Sequence, residues 1–481
     1  MNADATIIDP ALLKREVGSF AIDSREVSSG GVFFALSQPE YRDNCFNGDF
    51  EDSTKYVPSA FEKGAVACVV RPDRFEEHRA DLERFRGRLI FVDDSIAAFQ
   101  RLAHGVYLEW NKPVIAITGS AGKTTAKELT AHVLQSSGRK VLRNIKNYNN
   151  GLGHPLTVLN LAADKSYDVA VLEMGMSTPM NEIERLCRIT PPDVAVELNV
   201  LPVHIEHLGS IENVARAKAE LVEGMKPGGT AILNADDALV MEMSGLVNGR
   251  TITYGIRMPA DVMADNIHFE RFGETTFELK IGGETAEVLF PLNGQHNILN
   301  ALAAAAVGHS FGMSVEAIAA SLHTVAPPPQ RGEVLHFADG FTVVNDSYNS
   351  NPNALIGMVK TLMDGGKSAR RKIVVAGEML ELGVDAAKMH HEVGVEIAGH
   401  GVDILYGVRG LAQNMIDGAN ETGKIETRFF ESSDKAGDFI VDNTRAGDLI
   451  LVKGSRSVRT ERVVEKLLEK FSLEDESSVT R

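Results

Sequence analysis

The chain has 481 residues, of which 44% are hydrophobic and 24% charged, and its formal net charge is −17 at pH 7. This composition is typical of a globular protein of about three domains, and the negative charge disfavours non-specific binding to nucleic acid or to an anionic membrane surface. The cysteines Cys45, Cys68 and Cys187 are widely spaced and form no metal or redox motif, and no leader or membrane-spanning run is visible, so we expect a cytoplasmic protein.

The N-terminal region, residues 20–94, is predicted to form a small mixed α/β domain. Asp23, Ser24 and Arg25 precede a Ser-Gly turn in this region, where a hydroxyl and a guanidinium would suit an anionic ligand. A solvated turn with a surface ion pair explains the same residues equally well. Strands are predicted at residues 32–36, 67–70 and 89–92, and a helix at 96–109.

The next strand is predicted at residues 114–117, and a phosphate-binding loop is predicted directly after it. Glycines let main-chain N–H groups approach a phosphate at the start of the following helix, Lys123 reaches the outer phosphates, and a threonine hydroxyl ligates magnesium. The loop is shorter than the usual motif, because Ile117 stands where Gly-x-x-x-x-Gly-Lys has its first glycine. An ordinary strand-to-helix turn is the alternative. The loop residues are Gly119, Ser120, Ala121, Gly122, Lys123, Thr124 and Thr125.

The central region alternates strands and helices, which predicts a mainly parallel sheet with ligands at the carboxyl ends of its strands. Glu173 ends one of these strands, where its carboxylate either faces magnesium or caps the next helix. Residues 293–300 form a polar entry into an alanine-rich helix, and this entry is a candidate binding element. Strands are predicted at residues 169–173, 193–196 and 230–233, a helix at 211–225 and a β-meander at 262–289.

Pro327, Pro328 and Pro329 form a stiff linker, after which strands and helices alternate again in a second, Rossmann-like domain. Residues 346–352 and 453–459 follow strand ends there. The first has more hydrogen-bonding groups than a turn requires, although a polar loop explains it too. In the second, Arg456 would suit a carboxylate or phosphate. Strands are predicted at residues 342–345, 372–376, 404–408 and 449–452.

Taken together, these motifs resemble the Mur ligases, the ATP-dependent amide-forming enzymes of peptidoglycan precursor synthesis. The resemblance spans nearly the whole chain and explains the shortened phosphate loop. Its most specific segments indicate the member that joins D-alanyl-D-alanine to UDP-N-acetylmuramoyl-tripeptide through an acyl phosphate. The phosphate loop Thr118-Gly-Ser-Ala-Gly-Lys-Thr-Thr125 matches the whole family. The likeness to this member is carried by Asn147-Tyr-Asn-Asn-Gly-Leu-Gly-His-Pro155, Asp346-Ser-Tyr-Asn-Ser-Asn-Pro352, Gly377-Glu-Met-Leu-Glu-Leu-Gly383 and Lys453-Gly-Ser-Arg456, of which the second and third are the most specific.

The resemblance also implies an architecture and a cellular role. Residues 1–112 would form a small mixed α/β domain for the UDP-muramoyl peptide, residues 113–327 a central P-loop parallel-sheet domain for ATP, and residues 328–481 a C-terminal Rossmann-like domain for D-alanyl-D-alanine. The protein would be a cytoplasmic monomer using ATP and Mg²⁺, with no nucleic-acid partner and no membrane insertion. Its product would serve cell-wall biogenesis, and hence cell shape, the cell cycle and cell division.

Roles follow residue by residue from the same resemblance. The phosphate loop and Lys123 would hold ATP, and Lys218 would carry a carbamate; Ala219 stands where this ligase commonly has glycine. Without the resemblance to this family, the sequence pattern would indicate that Lys218 is an exposed lysine on an amphipathic helix. Magnesium would be held by Thr124, Glu173, His204 and Lys218, with Lys123, His204 and Lys218 as the catalytic residues. Further nucleotide contacts would come from Asn293, Asn297, Asn300, Arg331 and Asp346, and substrate contacts from Asp23, Ser24, Arg25, Asn147, Asn149, Asn150, Tyr348, Asn349, Asn351, Lys453 and Arg456.

Two other functions remain open at this point. Another Mur-type ligase that adds a single amino acid would share the phosphate loop, Glu173, His204 and Lys218. A regulatory P-loop protein would hydrolyse nucleotide without forming a bond, but it leaves a uridine-nucleotide site unexplained. Whether the third residue of the peptide is diaminopimelate or lysine is also open.

Overall fold

The computed structural model describes residues 5–37, 41–42, 44, 46, 51–145, 148–176, 181–201, 210–325, 330–380 and 382–474, apart from the side chains of residues 270, 271 and 384. The chain divides into two compact units. Unit 1 consists of Met1–Met263, Ile281–Gly283 and Leu299–Ile318. Unit 2 consists of Ala264–Lys280, Glu284–Ile298 and Ala319–Arg481.

The N-terminal part of unit 1 contains a mixed sheet. Its strands are β1 (Ala5–Ile7), β2 (Ser19–Ala21), β3 (Gly31–Phe34), β4 (Ala67–Val70) and β5 (Leu89–Val92), and the helices among them are α1 (Val57–Glu62), α2 (Pro72–Glu77) and α3 (Arg79–Leu82). The spatial order is β1-β5-β4-β3-β2, with β1 antiparallel to β5 and the other neighbours parallel. Successive residues of β3 face opposite sides, so Phe33 packs in one core while Phe34 packs on Phe99 of the next helix, α4 (Ser95–Trp110), in another.

The central sheet of unit 1 is parallel. Its strands are β6 (Val114–Thr118), β7 (Val141–Arg143), β8 (Val169–Glu173), β9 (Val194–Glu197), β10 (Thr230–Asn234) and β11 (Arg250–Gly255). They follow the order β11-β10-β9-β6-β8-β7. The helices are α5 (Lys123–Ser136), α6 (Gly153–Ala163), α7 (Glu182–Ile189), α8 (Ile211–Glu223) and α9 (Ala238–Glu242). Because β6 lies between β8 and β9, its carboxyl end is the point of a parallel sheet where ligands bind.

A β-meander follows, in the order β14-β13-β12. Its strands are β12 (Val262–Arg271), β13 (Glu274–Ile281) and β14 (Glu284–Phe290), and the helices after it are α10 (Gln295–Ser310) and α11 (Val315–His323). Buried and half-buried residues alternate along β13, as the alternating sequence predicts for a strand with one face on a core. The small side chains in the middle of α10 are all fully buried, which explains the alanine-rich run there.

The C-terminal part of unit 2 contains a third sheet, in the order β15-β16-β20-β17-β18-β19. Its strands are β15 (Glu333–His336), β16 (Thr342–Asp346), β17 (Arg371–Gly377), β18 (Ile404–Val408), β19 (Glu426–Phe430) and β20 (Asp448–Lys453). Only the β15–β16 pair is antiparallel among the described pairs. The helices are α12 (Pro352–Gly365), α13 (Ala386–Gly399), α14 (Ala412–Glu421), α15 (Ser433–Asn443) and α16 (Glu461–Lys470). The loops after β16, β17 and β20 therefore meet at one edge.

The predicted α/β class, with sheets in the N-terminal, central and C-terminal parts of the chain, is confirmed. The domain boundaries at residues 112/113 and 327/328 remain a prediction, and the three prolines of the linker lie outside the described residues. No helix in the described ranges is long and apolar enough to cross a membrane.

Candidate functional site

The loop between β6 and α5 places its glycines where a side chain does not fit. A Cβ atom on Gly119 would lie 2.7 Å from Cβ of Leu198, and one on Gly122 would lie 2.6 Å from Oδ1 of Asn300. Gly122 also has a φ of +85°, in the left-handed region that glycine adopts without strain. A side chain at either position would therefore clash with its neighbours. Asn300 of α10 lies beside the loop.

Asn199, two residues after β9, holds this loop from the neighbouring strand. The N–H of Ala121 donates to Oδ1 of Asn199 at 2.9 Å, and Nδ2 of Asn199 donates to the carbonyl of Ala121 at 3.1 Å. The N–H of Ser120 donates to the main-chain carbonyl of Asn199 at 2.9 Å. We call these three hydrogen bonds the Asn199 clasp. Sequence reasoning did not assign Asn199 a role in the phosphate loop, because the contact depends on β9 lying next to β6.

Lys123, the first residue of α5, folds back over the loop. Its ammonium donates to the carbonyls of Gly119 at 2.8 Å and Ser120 at 3.4 Å. Burial lowers the pKa of Lys123, and the carboxylate of Glu173 acts in the opposite direction. The cation therefore lies at the mouth of the loop, where a phosphate would meet it.

Thr124 and Glu173, predicted to share a cation, are in contact. The Thr124 hydroxyl donates to Oε2 of Glu173 at 2.9 Å, and Nδ2 of Asn149 donates to Oε1 at 2.7 Å. Asn144 fixes the backbone of Glu173 by accepting its N–H at 3.0 Å and donating to its carbonyl at 2.9 Å. Hydroxyl and carboxylate oxygens are the ligands that Mg²⁺ prefers, so this donor set fits that ion. Asn144 is a supporting residue that sequence reasoning missed, and Thr125 lies on the next position of α5.

Lys218 lies on α8 with only 2% of its surface exposed, so the alternative of an exposed lysine is wrong. Burial and, to a smaller extent, the Lys123 cation together lower the pKa of Lys218 to about 7, although Glu197 acts in the opposite direction. A buried, readily deprotonated amine is the form that reacts with CO₂ to give a carbamate.

Glu197, at the end of β9, is a second residue that sequence reasoning missed. It is fully buried, and within the described ranges neither of its carboxylate oxygens has a hydrogen-bond partner. Thr118 pairs with it in the parallel ladder, and the buried hydroxyl of Thr118 also lacks a partner there. Burial raises the pKa of Glu197, with Lys218 acting against this and Asp237 adding to it. The only sequence signal is a charge within an apolar strand.

The other predicted residues of the central region have mixed outcomes. Asn150 accepts the N–H groups of Leu152 and Gly153 at 3.2 and 2.9 Å, which shapes the turn that leads into α6. Asn147 and His204 lie outside the described residues.

A cavity of about 430 Å³ within unit 2 includes Asn293, His296, Lys360 and Thr361 in its lining. Asn293 is 5% exposed, and its Nδ2 has no hydrogen-bond partner in the parts of the chain that are described. Asn297 donates to the carbonyl of Asn293 at 2.8 Å. The polar entry into α10 thus offers a buried amide donor to this cavity.

The predicted N-terminal site is a surface ion pair in this structure. Nη2 of Arg25 lies 2.7 Å from Oδ2 of Asp23, and the Arg25 side chain is 86% exposed. The hydrogen bond from Arg25 lowers the pKa of Asp23. Lys63 donates to the carbonyl of Ser24 at 2.9 Å, so positive charge lies on both sides of this turn.

At the edge of the third sheet, Lys453 and Asp346 form a nearly buried ion pair of 2.6 Å. Lys453 also donates to the carbonyl of Asn349 at 2.8 Å, which ties the loop after β16 to the end of β20. Burial raises the pKa of Asp346 in spite of Lys453. Asn351 caps α12 by accepting the N–H of Ala354 at 2.8 Å.

Two guanidinium groups flank the exposed ring of Tyr348 in the same loop. Arg331 lies 4.1 Å and Arg456 6.0 Å from the ring centroid. Nη1 of Arg456 donates to Oε1 of Gln330 at 2.8 Å. The structure therefore groups Arg331 with the loop of Tyr348, and Gln330 is a further residue that sequence reasoning did not single out.

Comparison with known proteins gives consistent matches. Residues 117–308 match the family model for the Mur ligase middle domain, and residues 330–456 match that for the Mur ligase, glutamate ligase domain. A UDP-N-acetylmuramoyl-tripeptide--D-alanyl-D-alanine ligase of Bacillus subtilis is 31% identical over 469 residues, which cover 96% of each chain. MurF from Acinetobacter baumannii has a TM-score of 0.79 at 26% identity, with 94% of both chains covered. The MurF ligase from Thermotoga maritima, solved in complex with ADP, has a TM-score of 0.75 at 28% identity over 95% of this chain and 98% of that one.

Proposed function

The chain belongs to the Mur ligase family, and we propose that it joins D-alanyl-D-alanine to UDP-N-acetylmuramoyl-tripeptide with consumption of ATP, in peptidoglycan precursor synthesis. The observation that carries this proposal is the similarity over 96% of both chains to a relative named for that reaction. A similarity of this extent includes the regions on both sides of the phosphate loop, so it supports both substrates as well as ATP.

ATP is proposed to bind with its phosphates on the loop between β6 and α5. The N-terminus of α5 offers main-chain donors to an anion, and Lys123 adds a positive charge at the mouth of the loop. The ADP bound to the MurF ligase from Thermotoga maritima supports a nucleotide in a fold of this kind. Asn300, which lies beside Gly122, would contact the rest of the nucleotide.

Thr124 and Glu173 would hold Mg²⁺, which supplies positive charge to the phosphates during transfer. Lys218 and His204 would complete a second ion site, with Lys218 as its carbamate. A carbamate is an anion, so it can ligate a cation that a lysine ammonium would repel. Lys218→Ala should lose activity and regain part of it with a short carboxylic acid; absence of rescue at any concentration would count against the carbamate.

The reaction requires two repelling anions to meet, the peptide carboxylate and the γ-phosphate of ATP. Two cations would lower the barrier where negative charge accumulates: Lys123 at the phosphates, and Arg331, which lies two residues before β15. The carboxylate attacks the phosphorus to give an acyl phosphate and ADP. The neutral amine of D-alanyl-D-alanine then attacks the acyl carbon, phosphate leaves, and the amine proton passes to a basic group or to the leaving phosphate.

The two ends of the substrates would be recognised in different parts of the chain. Asp23, Ser24 and Arg25 would bind the uridine nucleotide, as the exposed guanidinium of Arg25 favours. The loop of Tyr348, Asn349 and Asn351, with Lys453 and Arg456, would bind the acceptor dipeptide. Arg456 suits its terminal carboxylate, because a guanidinium binds a carboxylate with two parallel hydrogen bonds.

The decisive experiment measures ADP release with UDP-N-acetylmuramoyl-tripeptide and each of a set of acceptors. We expect release to depend on D-alanyl-D-alanine and to be at background with single amino acids. Release that depends on a single amino acid would assign the chain to another Mur-type activity, and release without any acceptor would favour a nucleotide hydrolase. The same assay, run with tripeptides that carry diaminopimelate or lysine as the third residue, identifies which UDP-N-acetylmuramoyl-tripeptide the protein uses.

A further inference from the structure

Gln330 has a backbone conformation that a glutamine adopts only with strain. Its φ is +62°, in the left-handed region. Such a conformation costs a non-glycine residue roughly 1–3 kcal/mol and persists only where surrounding contacts hold it. Here the carbonyl of Gln330 accepts the N–H of Tyr348 at 3.1 Å, so the strained residue is fixed directly to the loop of the proposed acceptor site.

The side chain of Gln330 makes a contact that glycine would not provide. Its Oε1 accepts a hydrogen bond from Nη1 of Arg456 at 2.8 Å. The same Nη1 also lies 3.5 Å from Oε1 of Glu461, a carboxylate that is itself only 8% exposed. Nη1 is therefore held by these two oxygens. The Arg456 side chain nevertheless remains 62% exposed.

The edge of the guanidinium formed by Nε and Nη2 points to no acceptor within the described ranges. These two N–H groups lie in the planar fork that matches the two oxygens of a carboxylate. The hydrogen bond to Nη1 restrains the rotation of the guanidinium, and so Gln330 restricts the directions in which the fork faces.

We propose that Gln330 is a positioning residue that acts through Arg456: it orients the free edge of the guanidinium to receive the terminal carboxylate of the acceptor dipeptide. This inference rests on the proposed function, because it assigns Arg456 to the acceptor. Gln330 thereby contributes to acceptor specificity. Its hydrogen bonds to Tyr348 and Arg456 also hold its strained backbone conformation.

The test is Gln330→Gly, which relieves the strain and removes the amide at once. A purely structural role predicts a lower melting temperature or no kinetic effect. The proposal predicts an unchanged or higher melting temperature together with a KM for D-alanyl-D-alanine raised about 10-fold, equivalent to about 1.4 kcal/mol, and an unchanged KM for ATP. Gln330→Ala keeps the strain and loses the amide, so it should raise the same KM and also lower the melting temperature.

A second acceptor makes the test specific to the carboxylate. D-Alanyl-D-alaninamide lacks the terminal negative charge, so the effect of Gln330→Gly on KM should be absent with this acceptor. Arg456→Lys should raise the KM for D-alanyl-D-alanine, and adding Gln330→Gly to it should have little further effect, since the two residues act as one.

The outcomes separate the inference from the function on which it depends. Unchanged KM for the dipeptide in Gln330→Gly, or the same increase with the amide, overturns the positioning role. Absence of dipeptide-dependent ADP release in the wild-type protein overturns the proposed function itself, whatever the variants do.

Discussion

Replacement of Glu197 by leucine changes a buried, unpaired carboxylate into an apolar side chain of similar size. Because both carboxylate oxygens are fully buried without a hydrogen-bond partner in the described ranges, no hydrogen bond offsets the desolvation penalty of the charged form, which the nearby Lys218 only partly opposes. A penalty of this kind amounts to about 1–3 kcal/mol in proteins. We therefore expect Glu197→Leu to raise the free energy of unfolding by about that amount at pH 8.

The gain should depend on pH with a defined sign. Burial raises the pKa of Glu197, so between the unfolded and the folded pKa the folded protein holds a proton that the unfolded chain has lost. The contribution of Glu197 to stability is therefore fully present below the unfolded pKa of about 4.3 and is lost as the pH rises through the folded pKa. The free energy of unfolding of Glu197→Leu should be higher than that of the wild type, and this difference should be larger at pH 8 than at pH 5.

Thermal unfolding at both pH values measures this difference, which corresponds to a shift of about 2–12 °C for a cooperative domain of 150–250 residues. Glu220→Gln is the matched control. Glu220 is also buried, but its carboxylate accepts the N–H groups of Asn181 and Glu184 at 2.7 and 3.1 Å, so its replacement should lower the melting temperature. A comparable loss in Glu197→Leu at both pH values would refute the reasoning and indicate a tight ion pair with Lys218.

Four further predictions concern the phosphate loop and the ion pair between Lys453 and Asp346. Lys123→Ala should abolish dipeptide-dependent ADP release and leave uridine-nucleotide binding intact in a calorimetric titration; retained ligation would refute the phosphate assignment. Thr124→Val removes the hydroxyl that lies 2.9 Å from Glu173 and should lower the rate about 100-fold, whereas Thr124→Ser should retain most of it. Asn199→Ala breaks the side-chain bonds of the Asn199 clasp and should raise the KM for ATP about 10-fold, equivalent to about 1.4 kcal/mol, without changing the KM for the dipeptide. Lys453→Met leaves the largely buried Asp346 without its 2.6 Å partner and should destabilise unit 2 by about 3 kcal/mol in urea unfolding; failure of Asp346→Asn to recover part of that loss in the double variant would contradict the ion-pair explanation.

Much of the fold was predictable because its central strands are apolar runs followed by helices. The strand ending at Glu173 and the one preceding Gly119 were predicted to share a sheet edge, and the contact between Thr124 and Glu173 follows from that geometry. Several of the strands that sequence reasoning did not predict are short or polar. β1, β2 and β7 have three residues each, and β19 alternates exposed with half-buried positions, so hydrophobic pattern alone does not identify them.

The supporting residues were not predictable, because they depend on strand order. β9 follows β8 along the chain but lies on the opposite side of β6 in the sheet. Only this order brings Asn199 to the phosphate loop and sets Glu197 beside Thr118. Gln330 escaped prediction for a different reason. Neither its left-handed φ nor its contact with Arg456, 126 residues away, leaves a pattern in a single sequence.

The Asn199 clasp has a thermodynamic consequence for nucleotide binding. A phosphate loop that is free in solution must lose conformational entropy when it closes around an anion, at about 1–2 kcal/mol for each residue ordered. The main-chain N–H groups of Ser120 and Ala121 donate to Asn199, so the fold itself orders these two residues. This part of the entropy loss occurs during folding, so the binding entropy of ATP should be less unfavourable than for a loop that orders on contact. The stability of the sheet and the affinity for nucleotide are thereby linked through one asparagine.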